Sequence, residues 1–173
     1  PALTYKHEQL EKSETCLPEN TCNVDNHVDY KPLPYMNTLY YLDVDLYHYF
    51  IGREDQSVSM KNIVKRYAQQ QTVMREMTDA YTWNEIKYMV RGLKRYMWHN
   101  LEVILINTVF FTCAEYSKER KAALKALWKH IKERDGALYR RLRYFSYASF
   151  FCLMPWKLRG FVMTKGYLYL CRK

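Results

Sequence analysis

The sequence predicts an α+β chain that is mostly helical. Three observations carry that prediction. Two short runs, 38–43 (TLYYLD) and 46–50 (LYHYF), have the β-branched and aromatic composition of strands. From Ser59 onward the apolar residues recur at helical spacing. Charge divides at nearly the same place. Residues 1–60 hold 4 Lys/Arg against 10 Asp/Glu, a net of −6, whereas residues 61–173 hold 23 against 8, a net of +15; together they make the chain's +9.

The 173 residues suit one ordinary domain, or a partial domain followed by a small one. Hydrophobic residues make up 49%, with 17 tyrosines and 7 phenylalanines, which is ample for a core and argues against disorder. The chain begins at Pro1 without a signal-peptide pattern, and the expectation is a fragment of a longer protein. The five cysteines (16, 22, 113, 152 and 171) form no short metal-binding pair and read as reduced thiols. The five histidines are scattered and no HExxH motif occurs, so zinc chemistry is not expected.

Each element follows from local patterning. Residues 3–12 read as a short helix. Asp25 and Asn26 are good caps for a helical turn that ends before Pro32. The two strand-like runs flank Asp43-Val44-Asp45, a bend or tight turn, and Gly52 opens a loop. A helix begins near Met60, with Ser57 or Ser59 as its cap. Residues 84–116 read as one long helix or two. Within them the stretch 101–111 (LEVILINTVFF) is apolar nearly all round, which predicts a central buried helix. It is too short and too interrupted to span a bilayer. Residues 117–133 form an amphipathic helix with Leu124, Leu127, Trp128 and Ile131 on one face. Asp135 caps a helix expected to reach about Phe150, and Pro155 opens a terminal helix over 155–171.

The densest chemistry lies in residues 24–59, VDNHVDYKPLPYMNTLYYLDVDLYHYFIGREDQSVS. This run resembles the end of the catalytic domain in bacterial family 2 glycosyltransferases. These are inverting GT-A enzymes that use nucleotide sugars, and the run is most similar to cell-surface polysaccharide glycosyltransferases of Gram-positive bacteria. The resemblance covers residues 1–70 and is strongest over 24–59. It implies that residues 1–58 are the C-terminal, acceptor-side portion of a GT-A domain and that residues 59–173 form a helical appendage. The nucleotide-binding half that such enzymes carry upstream has no counterpart here. The chain alone is therefore expected to be inactive.

Site roles follow from the resemblance residue by residue. Asp25 matches the general base that takes the proton of the acceptor hydroxyl. On local grounds alone it reads as a helix cap, with the helix N-terminus favouring its charge. The family often shows an acidic pair here, where this chain has Val24-Asp25. The loop after the second strand would steady the departing diphosphate, with His48 and Arg53 as cationic donors and Gln56 and Ser57 as neutral ones. Structural alternatives stay open: an ion pair for Arg53, a helix cap for Ser57. Many relatives carry an arginine where this chain has Phe50. Asp43-Val44-Asp45 has the spacing of a DxD metal motif, but the family's DxD lies upstream. A divalent cation, Mg or Mn, would be held by residues outside this chain.

The basic half points to an anionic partner. Residues 117–173 carry 15 Lys/Arg against 3 Asp/Glu, and their end interleaves Trp156, Phe161, Tyr167 and Tyr169 with basic residues. That pattern suits an anionic membrane surface, or equally the core of a helical bundle. No nucleic-acid motif is present. The resulting expectation is a fragment of a cytoplasmic glycosyltransferase at the inner face of the membrane. It would serve a nucleotide sugar and a saccharide or lipid-linked acceptor. The competing expectation is a non-enzymatic basic helical module that binds membrane or protein.

Overall fold

The computed structural model describes residues 3–19, 21, 23–45, 48 and 60–170. The described elements are α1 (His7–Lys12), α2 (Asp25–Val28), a 3-10 turn (Leu33–Tyr35), α3 (Met60–Lys65), α4 (Tyr67–Ala80), α5 (Trp83–Tyr88), α6 (Arg91–Cys113), α7 (Lys118–Arg134), α8 (Gly136–Tyr144), α9 (Ser149–Leu153) and α10 (Trp156–Leu170). The helical class is as expected.

The central helix is α6. Met97, Leu101, Ile104, Leu105, Thr108 and Val109 form one buried stripe along it, and the buried Glu102, Phe110 and Cys113 widen the covered surface beyond that stripe. Helices α4, α5, α7, α9 and α10 pack against it. The expected central buried helix over 101–111 is therefore present. Residues 84–116 form two helices rather than one, because Met89 and Val90 are both extended, with ψ of 156° and 146°. Three starts are capped as their side chains dictate. Thr82 and Glu85 form a capping box, Ser117 accepts from the Arg120 amide, and Asp135 Oδ1 accepts from the Ala137 and Leu138 amides. Asp135 Oδ2 also accepts from the Trp83 amide at 2.6 Å, tying α5 to α8.

Tyr30 and Leu33 lie in the same core as Val73, Met77 and Ile86, so the segment around α2 is mounted on the bundle. Tyr30 is wholly buried and packs edge-on against Tyr81 at 5.9 Å.

Three expectations need correction. The strand over 38–43 is not formed, and no strand occurs among the described residues. A strand needs a neighbour for its backbone groups, and among the described residues this run has none; Leu39, Tyr40 and Tyr41 are 78%, 85% and 78% exposed. Its expected partner, 46–50, lies outside the described residues apart from His48. Asp25 is not a cap: Val24 occupies that position and Asp25 is the first helical residue. Finally, the helix after Asp135 stops at Tyr144. Ser146 turns its hydroxyl back to the Leu142 carbonyl at 2.7 Å while its amide donates to Ser149 Oγ, so side-chain bonds replace the next helical turn.

Candidate functional site

The site begins with a left-handed residue. Asn23 has a φ of 63°, a conformation that asparagine tolerates better than most residues. Its side-chain amide donates to Gln70 Oε1 on α4 at 2.8 Å, and its carbonyl accepts from the Asn26 side chain at 2.8 Å. The chain then enters α2 with Asp25 exposed. Asn26 Nδ2 approaches Asp25 Oδ1 at only 3.4 Å, so the carboxylate is lightly engaged. A helix of four residues has too short a dipole to bias it, which removes the helix-terminus argument for Asp25.

The far side of the turn is clamped. Tyr5 donates to the Val28 carbonyl at 2.7 Å, Tyr81 to the Lys31 carbonyl at 2.6 Å, and Asn100 on α6 to the Asp29 carbonyl at 3.4 Å. Glu76 on α4 approaches both His27 Nε2 at 2.9 Å and Lys31 Nζ at 3.5 Å. His27 is wholly buried. Burial lowers its pKa, Lys31 lowers it further, and the attractions of Glu76 and Asp25 do not offset them. Burial and the nearby Asp25 raise the pKa of Asp29. Burial, then Asp29 and Tyr96, push the Tyr5 hydroxyl up to about 12.

Tyr96 leads to an open cleft of about 780 Å³ along the first half of α6. Tyr96, Trp98, Phe145 and Tyr147 supply rings, and Arg95 and Glu102 supply charge. Glu102 is 3% exposed and its Oε1 accepts from the Tyr147 amide at 3.0 Å. Asn100, one turn beyond Tyr96, is the residue that holds Asp29. The cleft and the Asp25 turn thus share one stretch of α6. Rings with hydrogen-bonding groups between them are the chemistry that holds saccharides: C–H faces stack and hydroxyls pair.

Of the residues singled out in the sequence, Asp25 lies in the clamped turn. His48 is exposed outside regular structure and takes no part in that clamp. Arg53, Gln56 and Ser57 lie outside the described residues, as does the expected cap at Ser57 or Ser59. Asp43 and Asp45 are exposed on either side of a bend at Val44, outside regular structure, and Asp43 accepts from Tyr41 at 3.4 Å. Among the described residues no three His, Cys, Asp or Glu side chains gather as a metal-binding group. Cys16, Cys113 and Cys152 are free thiols. Burial pushes Cys113 up to about 11, so it is a poor nucleophile.

Sequence reasoning missed Asn23, His27, Gln70 and Glu76. Nothing in their spacing pairs them across 47 or 49 positions; the one local signal that could have found Asn23 is the left-handed tolerance of asparagine. Comparison with protein-family models, curated proteins and solved structures found no match.

Proposed function

We propose that this chain is the acceptor-side portion of an inverting glycosyltransferase, with Asp25 as its general base. The observation that carries the reading is the Asp25 turn itself. Its carboxylate is exposed and lightly engaged, while the backbone on both sides is held by Asn23, Tyr5, Tyr81 and Asn100. A base needs reach and a fixed position, and this turn supplies both. The resemblance of residues 24–59 supports the same reading.

In the proposed step, Asp25 takes the proton from an acceptor hydroxyl. The oxygen attacks the anomeric carbon of the nucleotide sugar from the face opposite the diphosphate. The carbon–oxygen bond to the diphosphate breaks, its electron pair leaves with the phosphate, and the configuration inverts. His48, Arg53, Gln56 and Ser57 are proposed as donors to that diphosphate. The nucleotide and a divalent Mg or Mn ion would be bound by residues outside this chain. The acceptor, a surface polysaccharide or lipid-linked saccharide, would lie along the cleft of Tyr96, Trp98 and Glu102. The exposed run 38–43 would become a strand once a sheet edge is supplied. A reaction that consumes nucleotide sugars would lie on the cytoplasmic face of the membrane.

The test is release of nucleoside diphosphate by the complete protein, offered a panel of nucleotide sugars with Mg or Mn and a saccharide acceptor. Acceptor-dependent release supports the reading. No release with any donor would favour the non-enzymatic basic module instead.

A further inference from the structure

We propose that α9, α10 and the loop before them form a docking face for an anionic lipid bilayer. This inference does not require the sugar-transfer reading, although Phe145 and Tyr147 also line the cleft assigned there to the acceptor. It starts from a division within α10. Trp156, Arg159, Gly160, Met163 and Tyr167 recur at three- and four-residue spacing and face inward. Tyr167 stacks on Phe110 at 5.1 Å, and Arg159 and Met163 are buried. The other stripe, Leu158, Phe161, Lys165, Leu168 and Tyr169, has the same spacing and is exposed. Phe161 is 62% exposed and Tyr169 66%. The helix is therefore apolar on both sides but covered on one. The terminal aromatics that sequence left between core and surface divide accordingly: Trp156 and Tyr167 inward, Phe161 and Tyr169 outward.

The same exposure continues in the preceding segment. Phe145 and Tyr147 are each 77% exposed, and Phe150 and Leu153 share one face of α9 in the open. Arg159 binds this segment to α10, donating to the carbonyls of Cys152 and Met154 at 2.8 and 2.7 Å. Arg143 on α8 donates to the same Cys152 carbonyl. These bonds fix the end of α9 to α8 and α10 before any partner arrives.

Charge selects the partner. Residues 136–173 contain eight Lys/Arg and no Asp or Glu. Arg143 and Arg159 are used internally and Arg141 covers the Trp83 ring at 3.8 Å, whereas Arg140, Lys157 and Lys165 are exposed. Exposed aromatic and aliphatic side chains interspersed with cations, in a segment that itself carries no carboxylate, match the headgroup region of an anionic leaflet. Rings sit at the acyl boundary and cations at the phosphates. No described helix is long and apolar enough to cross a membrane, so the contact is peripheral.

The experiment is co-sedimentation of the 173-residue chain with vesicles of phosphatidylcholine, with and without phosphatidylglycerol. Binding is expected on the anionic vesicles, falling as salt rises because surface charge is screened. Phe161→Gln with Tyr169→Gln should weaken it at least about tenfold, as should Lys157→Glu with Lys165→Glu. All four side chains are exposed, so the fold should survive, which circular dichroism checks. Tyr88→Gln, at an exposed aromatic on α5, should bind as the parent chain does. The proposal is overturned by absence of binding to anionic vesicles at about 0.15 M salt, or by folded stripe variants that bind unchanged. Preference for double-stranded DNA at equal salt would also overturn it, assigning the charge to nucleic acid.

Discussion

Asn23 reaches from a left-handed backbone position to Gln70 on α4, donating to its Oε1 at 2.8 Å. That bond fixes the residue two places before Asp25 and joins the turn to the bundle. Asn23→Ala should destabilise the chain by about 1–3 kcal/mol, since it loses the bond and keeps a strained φ. Asn23→Gly keeps the conformation and loses only the bond, so it should recover part of the loss. Urea denaturation separates the two. Equal stability of all three chains would mean that this bond does not hold the turn.

His27 makes stability depend on pH. Its folded pKa lies below the ordinary 6.5, with burial as the main cause. Between the two values the unfolded chain binds a proton that the folded chain does not. Stability is therefore full above the unfolded value and is lost as pH falls through the window beneath it. Asp29, raised from 3.8, acts with the opposite sign in a more acidic window. Denaturation at about pH 7.5 and about pH 5.5 should show the loss, and His27→Gln should reduce the difference. An unchanged difference in His27→Gln would assign the acid sensitivity to another group.

Gly160 lets α10 approach α6. A Cβ added there would lie 2.5 Å from the Cys113 carbonyl oxygen, a backbone atom that cannot swing away. Gly160→Ala should cost about 1–3 kcal/mol through forced separation of the helices. Gly166 has nothing within 4 Å of such a Cβ, so Gly166→Ala should be neutral or stabilising. Thermal denaturation of both variants checks the pair. An unaffected Gly160→Ala would mean that the two helices do not pack this closely.

The helices were legible because their faces and caps are local. Leu124, Leu127 and Ile131 mark the buried face of α7, and Asp135 marks the start of α8. The stop at Tyr144 was not legible, because it depends on how Ser146 and Ser149 turn their hydroxyls inward. The strand expected over 38–43 does not form, because composition alone does not supply the partner a strand needs. At the candidate site, Asp25 stood out through its neighbours in sequence. The clamp did not, because Tyr5, Gln70, Tyr81 and Asn100 come from four distant places. Charge counts alone do not show which cations reach the surface. Arg120 donates to the Phe111 and Val64 carbonyls and covers the Tyr67 ring, so it serves the interior.

Asp25→Asn in the complete protein tests the central claim most directly. The substitution keeps the shape of the exposed side chain and removes its ability to accept a proton. Nucleotide-sugar binding should stay near that of the parent while acceptor-dependent turnover falls by about 10²-fold or more. Turnover close to that of the unsubstituted protein, in a variant that folds and binds donor normally, would contradict the account and leave Asp25 as a surface residue of a structural turn.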